Sequence, residues 1–225
     1  SFRNPVPDYS MKKYLKILGI LLIIAGVGFL LIVPGSWLLG YFAQRGLNSE
    51  FNQESAAALS LNSSVMDKMR GAADTEKLRE LAKSFQKQLR SEQTIARLEI
   101  PRIGINAVVV EGTPDGSLRK GIGHMEGTPL PGMGENFSLA GDRVLYGAPF
   151  LNIDDLTEGD EIKVQTTYGK FVYNMVSSRI TDPENVDILK YPGFEAITLI
   201  TCDPPWDTSR RLIIQDKLVS ANLLP

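Results

Sequence analysis

The sequence predicts a mainly β domain that follows an apolar segment and an amphipathic helix. Short alternating or β-branched runs recur through the C-terminal part of the chain, separated by clusters of glycine, proline and aspartate. They leave little room for helices, so we expect a closed or sandwich-like β fold of about 130 residues over 96–225. A long apolar run and a stripe of spaced apolar residues account for the part before it.

The apolar run from Ile17 to Val33 contains no polar side chain, and apolar sequence resumes after Pro34 up to Leu39. A helix needs roughly 20 such residues to cross a bilayer, so 17–42 is predicted to be a transmembrane signal anchor. Positive residues flank its start and aromatic residues its end: Lys12, Lys13, Lys16, Trp37 and Tyr41. This distribution predicts a cytoplasmic tail over 1–16 and an extracellular domain on a single-pass protein of the cell membrane, with the lipid bilayer as a partner.

A cleaved signal peptide is the alternative, but Phe42-Ala43-Gln44 makes a poor cleavage site, which favours a retained anchor. Met11 has the character of a natural start. Residues 1–10 are therefore interpreted as a cloning remnant or a processed lead-in.

Composition excludes several classes of function. The 24 Lys and Arg residues balance 26 Asp and Glu residues, which argues against a nucleic-acid partner. One cysteine and one histidine allow neither an intramolecular disulfide nor a zinc site of the common kinds. No loop has EF-hand spacing. We predict no metal and no cofactor.

Residues 43–95 are predicted to be a stalk that contains an amphipathic helix. Leu78, Leu81, Phe85 and Leu89 recur at spacings of three and four, which predicts a helix over roughly 75–93. We expect this helix to pack on the β domain; covering a binding groove is the alternative. The predicted strands follow at 96–101, 105–110, 136–140, 161–166, 171–180, 196–201 and 212–219.

Cys202 follows an apolar strand and precedes two prolines, so it should sit where a strand opens into a loop. The next strand begins at Arg210-Arg211. If the two strands pair, one arginine lies beside the thiol, where it would favour the thiolate and bind an oxyanion. Neighbouring strand residues face opposite sides, so only one arginine can do this. An inert buried cysteine is the alternative.

Three segments stand out as motifs: residues 198–202 read TLITC and are followed by Arg211, residues 98–101 read LEIP, and residues 121–132 read GIGHMEGTPLPG. These segments resemble sortases, the membrane-anchored cysteine transpeptidases of bacterial cell envelopes. The resemblance covers about 97–220 and implies a sortase-like closed β-barrel with short helices. It leaves the class within the family open.

By this resemblance, Cys202 is the nucleophile that attacks the Thr–Gly carbonyl of an LPXTG-like sorting signal on surface proteins or pilins. An amine of the cell envelope or a pilin lysine then resolves the thioester. Arg211 would stabilise the oxyanion and Thr201 would line the substrate groove. Trp206 would either shape the groove wall or merely pack.

The chain departs from the family at Asp142, where sortases carry their catalytic histidine in an AGHR-type stretch. Residues 139–143 here read LAGDR, and His124 occupies a non-catalytic position of the family pattern. An ionised Asp142 would disfavour the thiolate and supply no acid for the leaving amine. An engineered knock-out and a natural altered site both explain it. A peptide-binding pseudoenzyme with the sortase fold, and outside the family an exported β domain with an inert cysteine, remain the alternatives.

Overall fold

The structure is a computed structural model that describes residues 17, 18, 20, 40, 42–53, 55, 56 and 73–224. Among the described residues, eight strands form a closed barrel, and helical segments precede them. The helix is Ala73–Gln86, and a short helix spans Asp115–Leu118. The strands are β1 Thr94–Ile100, β2 Ile105–Glu111, β3 Ile122–His124, β4 Asn136–Ala140, β5 Glu161–Gln165, β6 Gly169–Thr181, β7 Ala196–Asp203 and β8 Arg210–Leu223.

The strands follow one another around the barrel in the order β1-β2-β3-β4-β7-β8-β6-β5, and β5 closes it against β1. The β2–β3 and β4–β7 pairs are parallel, whereas the other neighbours are antiparallel. Since β4 and β7 run in the same direction, both end at the same rim of the barrel. The segments that follow these two strands are therefore neighbours in space.

Period-2 alternation assigns one face of each strand to the barrel interior. In β7, Ile197 and Leu199 are buried in the central core, whereas Ile200 belongs to a separate apolar cluster with Ile188 and Ile213 on the outside. The core residues are almost fully removed from water, each contributing about 1.5–3 kcal/mol of burial free energy. The barrel wall around β7 thus has apolar residues on both faces.

The sequence prediction of a mainly β closed barrel is confirmed, and each of the seven predicted strands is present. β3 was missed because it has only three residues, with glycine before and within it, and is too short to show a period. The predicted helix end at residue 93 is wrong. The helix stops at Gln86, and Glu92 adopts a left-handed backbone with φ 65° before β1 begins.

The helical residues 42–53 lie against the outside of β1 and β2. Leu47 packs with Val108 and Val110. The Gln44 side chain accepts a hydrogen bond from the Val108 N–H at 2.8 Å and donates one to the Lys120 carbonyl at 2.7 Å. This part of the predicted stalk is therefore docked on the barrel through buried contacts.

Across the described residues, the structure contains no helix that is long and apolar enough to cross a membrane. Most of the predicted anchor over 17–42 lies outside those residues. The anchor and the membrane localisation stay predictions from the sequence.

Asp216 is a buried acid on the inner face of β8. It is 0% exposed, and neither carboxylate oxygen has a hydrogen-bond partner within the described part of the chain. Burial raises the pKa of the Asp216 carboxyl well above its ordinary value. The folded protein therefore keeps this group neutral at pH values where the unfolded chain ionises it. The free energy of unfolding therefore falls as the pH rises above the pKa of an aspartate in the unfolded chain.

We expect Asp216→Asn to raise the melting temperature at pH 8 but to change it little near pH 4. The neutral amide removes the penalty of ionisation, and about 1 kcal/mol corresponds to roughly 2–4 °C in a domain of this size. Asp160→Asn is the control. Hydrogen bonding by the Thr157 N–H lowers the pKa of Asp160, so removing this carboxylate should not stabilise the folded protein. Equal effects of Asp216→Asn at both pH values, measured by thermal unfolding, would contradict this account.

Candidate active site

Cys202 and Arg211 are direct partners in the antiparallel β7–β8 pair. The loop 204–209 connects the two strands, and Pro204 and Pro205 begin it. Opposite residues of such a pair point to the same face of the sheet, with Cβ atoms about 4.5–5.5 Å apart. The thiol and the guanidinium therefore start from neighbouring positions on one face.

The neighbouring residues Asp203 and Arg210 form the next pair of the ladder. Their side chains form an ion pair in which Arg210 Nη2 lies 3.1 Å from Asp203 Oδ2. Because neighbouring residues alternate between faces, this pair occupies the opposite face from Cys202 and Arg211. Arg211 is thus the arginine that shares a face with the cysteine.

Cys202 and Arg211 line a groove of about 300 Å³ on the outside of the barrel. Its floor comes from the ends of β4 and β7, and its far wall comes from the 3₁₀ turn Val186–Leu189 that precedes β7. Three lining residues carry titratable or charged side chains, and the others are apolar or neutral. Those three are Asp142, Cys202 and Arg211.

Asp142 is positioned by the parallel pairing of β4 with β7. The Gly141 N–H donates to the Ile200 carbonyl at 3.1 Å, and the Thr201 hydroxyl donates to the Gly141 carbonyl at 2.7 Å. Gly141 also lies so close to Phe150 that a Cβ at this position would meet the ring at 2.5 Å. These contacts fix the start of the Asp142 loop against the strand that carries Cys202.

The Asp142 side chain holds its own loop together. Its Oδ1 accepts hydrogen bonds from the backbone N–H groups of Val144 at 2.6 Å and Leu145 at 2.8 Å. Its carbonyl accepts the Phe150 N–H at 3.0 Å. Short Asp side chains commonly close turns in this way. Asp142 therefore lies in the groove as a turn-forming carboxylate that carries no proton to donate when ionised.

Arg211 uses only one of its three side-chain nitrogens in hydrogen bonds within the described part of the chain. Its Nη1 donates to the Thr208 and Arg210 carbonyls at 2.9 and 3.0 Å, which anchors the guanidinium over the 204–209 loop. Arginine has five N–H donors. The N–H groups on Nε and Nη2 have no hydrogen-bond partner among the described residues, and they can bind an oxyanion formed in the groove.

Two other predicted binding residues lie in different settings. Thr201 lines the groove, but it is 3% exposed and its hydroxyl is engaged with Gly141. Trp206 is 65% exposed in the 204–209 loop and is not among the groove-lining residues. Its role in binding stays a prediction.

His124 lies away from the groove and is fully buried in β3. Its Nδ1 is 2.6 Å from Glu111 Oε2, and its Nε2 is 2.8 Å from the Thr128 hydroxyl oxygen. Its ring also contacts Phe137. These contacts agree with the structural role expected from its sequence position.

Sequence reasoning missed the groove wall formed by Val186, Ile188 and Leu189, and the opposite side formed by Thr113 and Leu118. These residues lie far from Cys202 in the chain, and no local pattern identified them. A larger cavity of about 450 Å³ lies between Gln44 and the barrel, and none of the five predicted site residues lines it. Four of those five residues, all except Trp206, line the smaller groove.

The family model described as "Sortase domain" matches residues 98–219, more than half of the chain. The chain belongs to the sortase family. Sortase SrtE1 of Streptomyces coelicolor is 36% identical over 143 residues, which cover 56% of this chain and 41% of the relative. Sortase D of Bacillus subtilis is 32% identical over 127 residues, which cover 55% of this chain and 63% of the relative. The matched region thus spans less than two thirds of each of these sortases.

Solved sortase structures have the same barrel. A Clostridium perfringens sortase D5 transpeptidase superposes with a TM-score of 0.62 at 27% identity, covering 79% of this chain and 99% of that one. Sortase E1 of Streptomyces coelicolor, solved with a tripeptide in its active site, superposes with a TM-score of 0.56 at 32% identity, covering 59% and 91%. The relatives include sortases of several named types, and the class of this chain stays open.

We expect Asp142→Asn to speed alkylation of Cys202 by iodoacetamide at pH 7 by about 3- to 10-fold. The amide keeps an acceptor for the Val144 and Leu145 N–H groups but removes a carboxylate from the groove that Cys202 also lines. The chain has one cysteine, so the alkylation rate reports on Cys202 alone.

Asp74→Asn, on the Ala73–Gln86 helix outside the groove, is the matched control and should leave the rate unchanged. An Asp142→Asn rate equal to that of the unaltered protein would show that the carboxylate does not affect the thiol.

Proposed function

We propose that this sortase acts as a cysteine transpeptidase on LPXTG-like sorting signals and that Asp142 lowers its turnover. The observation that supports the proposal is the pairing of Cys202 with Arg211 on one face of the barrel, in a groove of about 300 Å³. The tripeptide in the active site of the related sortase E1 supports a peptide substrate.

In the proposed reaction, the Cys202 thiolate attacks the Thr–Gly carbonyl carbon of the signal. The carbonyl oxygen becomes an oxyanion, which the N–H groups on Nε and Nη2 of Arg211 bind. The C–N bond then breaks and leaves a thioester on Cys202, while the departing amine takes up a proton. An amine of the cell envelope or a pilin lysine attacks the thioester and loses a proton to solvent. The C–S bond breaks, which forms the new amide and regenerates the thiolate.

We expect the protonation of the departing amine to be the slow step. Among the groove-lining residues, only Asp142 and Arg211 could hold a proton beside Cys202. Arginine does not give up its proton in proteins, and an ionised aspartate has none to give. Loss of a general acid typically costs about 10²–10⁴ in rate, so we propose slow turnover with the substrate groove intact.

The substrates and the place of action follow from the same proposal. We propose surface proteins or pilins with a sorting signal as acyl donors, and a single-pass membrane protein whose catalytic domain lies outside the cell. The apolar run from Ile17 to Val33 and the lysines before it support this orientation.

We expect Asp142→His to raise the rate of LPXTG-like peptide cleavage by about 100-fold or more, since imidazole supplies the missing acid. The same change removes the acceptor for two backbone N–H groups, so it should also lower the melting temperature. The rate is measured with a fluorogenic peptide, and Asp142→His with Cys202→Ala is the control without a nucleophile. Turnover of Asp142→His at the level of this control would contradict the proposed role of position 142.

A peptide-binding protein without turnover is the second candidate, and it is favoured by the use of the Asp142 carboxylate as a turn acceptor. This candidate predicts that Cys202→Ala binds the peptide as tightly as the unaltered chain and that neither forms an acyl adduct. Isothermal titration with the same peptide, paired with intact-mass measurement, separates the two functions.

A further inference from the structure

Arg143 is a buried cation that directly follows the groove residue Asp142 in the sequence. Its side chain is 3% exposed, and its Nη2 lies 2.6 Å from Asp154 Oδ1. The same guanidinium donates to the Leu151 carbonyl at 3.4 Å, and its Nη1 lies 3.6 Å from Asp203 Oδ1. Asp203 in turn pairs with Arg210 at 3.1 Å. The result is a chain of alternating charges, Asp154–Arg143–Asp203–Arg210.

Three residues of this chain of charges are sequence neighbours of the three charged or titratable residues that line the groove. Arg143 follows Asp142, Asp203 follows Cys202, and Arg210 precedes Arg211. In the paired strands β7 and β8 this offset places Asp203 and Arg210 on the face opposite the groove. The ion pairs of Arg143 with Asp203 and Asp154 join the other two members to them. The charges behind the wall are therefore bound to the same backbone segments that present the reactive groups in front of it.

The Asp203 carboxylate is 17% exposed and lies one residue from the thiol. A partly buried charge that loses its partner interacts more strongly with nearby groups, because little water screens it. Arg210 is 52% exposed, whereas Arg143 is almost fully buried, so Arg143 is the better shielded of the two cations that neutralise Asp203. Its Nε is buried without a hydrogen-bond partner, so the interactions of the guanidinium are made through its two terminal nitrogens.

We propose that Arg143 is a positioning residue for Cys202, which acts through Asp203 on the opposite face of β7. The guanidinium ties the Asp142 loop to the end of β7 and neutralises the carboxylate nearest in sequence to the thiol. The thiol thus reacts beside an Asp203 carboxylate whose charge the Arg143 guanidinium neutralises. The proposal rests on the proposed function only in taking Cys202 as the reacting group.

Among the described residues, the charged groups considered are those that line the groove and those that belong to the charge chain. On the groove face these groups are Asp142 and Arg211, and behind it they are Asp203, Arg143, Arg210 and Asp154. Asp154 is the matched control for Asp203, because both are carboxylate partners of Arg143 but only Asp203 adjoins the cysteine.

The experiment measures iodoacetamide alkylation of the single cysteine from pH 6 to 9 in the full chain, below the unfolding temperature of every variant. Arg143→Gln should slow alkylation at pH 7 by about 3- to 10-fold, since Asp203 loses its buried counter-charge. Adding Asp203→Asn to Arg143→Gln should bring the rate back to within about two-fold of the unaltered chain. Adding Asp154→Asn to Arg143→Gln should not restore the rate. Arg79→Gln, which removes an exposed ion pair on the Ala73–Gln86 helix, should have no effect.

The single changes cover the case in which Arg143→Gln does not fold. Asp203→Asn alone removes the negative charge next to Cys202 while Arg143 stays paired with Asp154, so it should speed alkylation, whereas Asp154→Asn alone should leave the rate near the original. Equal rates for Asp203→Asn and Asp154→Asn, or an Arg143→Gln rate within about 1.5-fold of the unaltered chain, would overturn the proposal. Because alkylation uses no sorting peptide, failure of the proposed transpeptidation would leave this result interpretable.

Discussion

The pairing of β7 with β8 is the constraint on which the candidate site depends. It sets Cys202 opposite Arg211 and, one step further along the ladder, Asp203 opposite Arg210. Strand alternation then sorts the two pairs to opposite faces, so that the thiol and one guanidinium enter the groove while the ion pair stays behind it. A register shift of one residue in β7 would turn Asp203 toward the groove in place of Cys202.

The parallel β4–β7 pair adds the third element. Because both strands end at the same rim, the loop that begins at Gly141 reaches the groove beside Cys202. The Thr201 hydroxyl fastens that loop to β7, and the Phe150 ring fills the space that a side chain at residue 141 would occupy. The position of Asp142 therefore follows from backbone pairing, whereas its chemistry depends on the residue that stands there. In this chain the carboxylate stabilises its own turn.

The sequence predicted the strands because strand periods and turn residues are local signals, and the resemblance to sortases predicted that the strands close into a barrel. It also predicted that one arginine of residues 210 and 211 would share a face with the cysteine, since alternation follows from strand geometry alone. The far wall of the groove could not be predicted, because Val186 and Leu189 reach it through a 3₁₀ turn that has no strand period. The role of Arg143 was hidden for a similar reason. Its partners Asp154 and Asp203 meet only after the barrel closes.

The most direct test of the central claim is the intact mass of the protein after incubation with an LPXTG-like peptide and rapid acid quenching. The account predicts an adduct of the acyl fragment on Cys202, formed slowly by the unaltered chain, faster by Asp142→His and not by Cys202→Ala. Acid quenching preserves a thioester, and hydroxylamine should release it. The absence of an adduct in both the unaltered chain and Asp142→His, with peptide binding retained, would contradict the claim that Cys202 is the nucleophile of this groove.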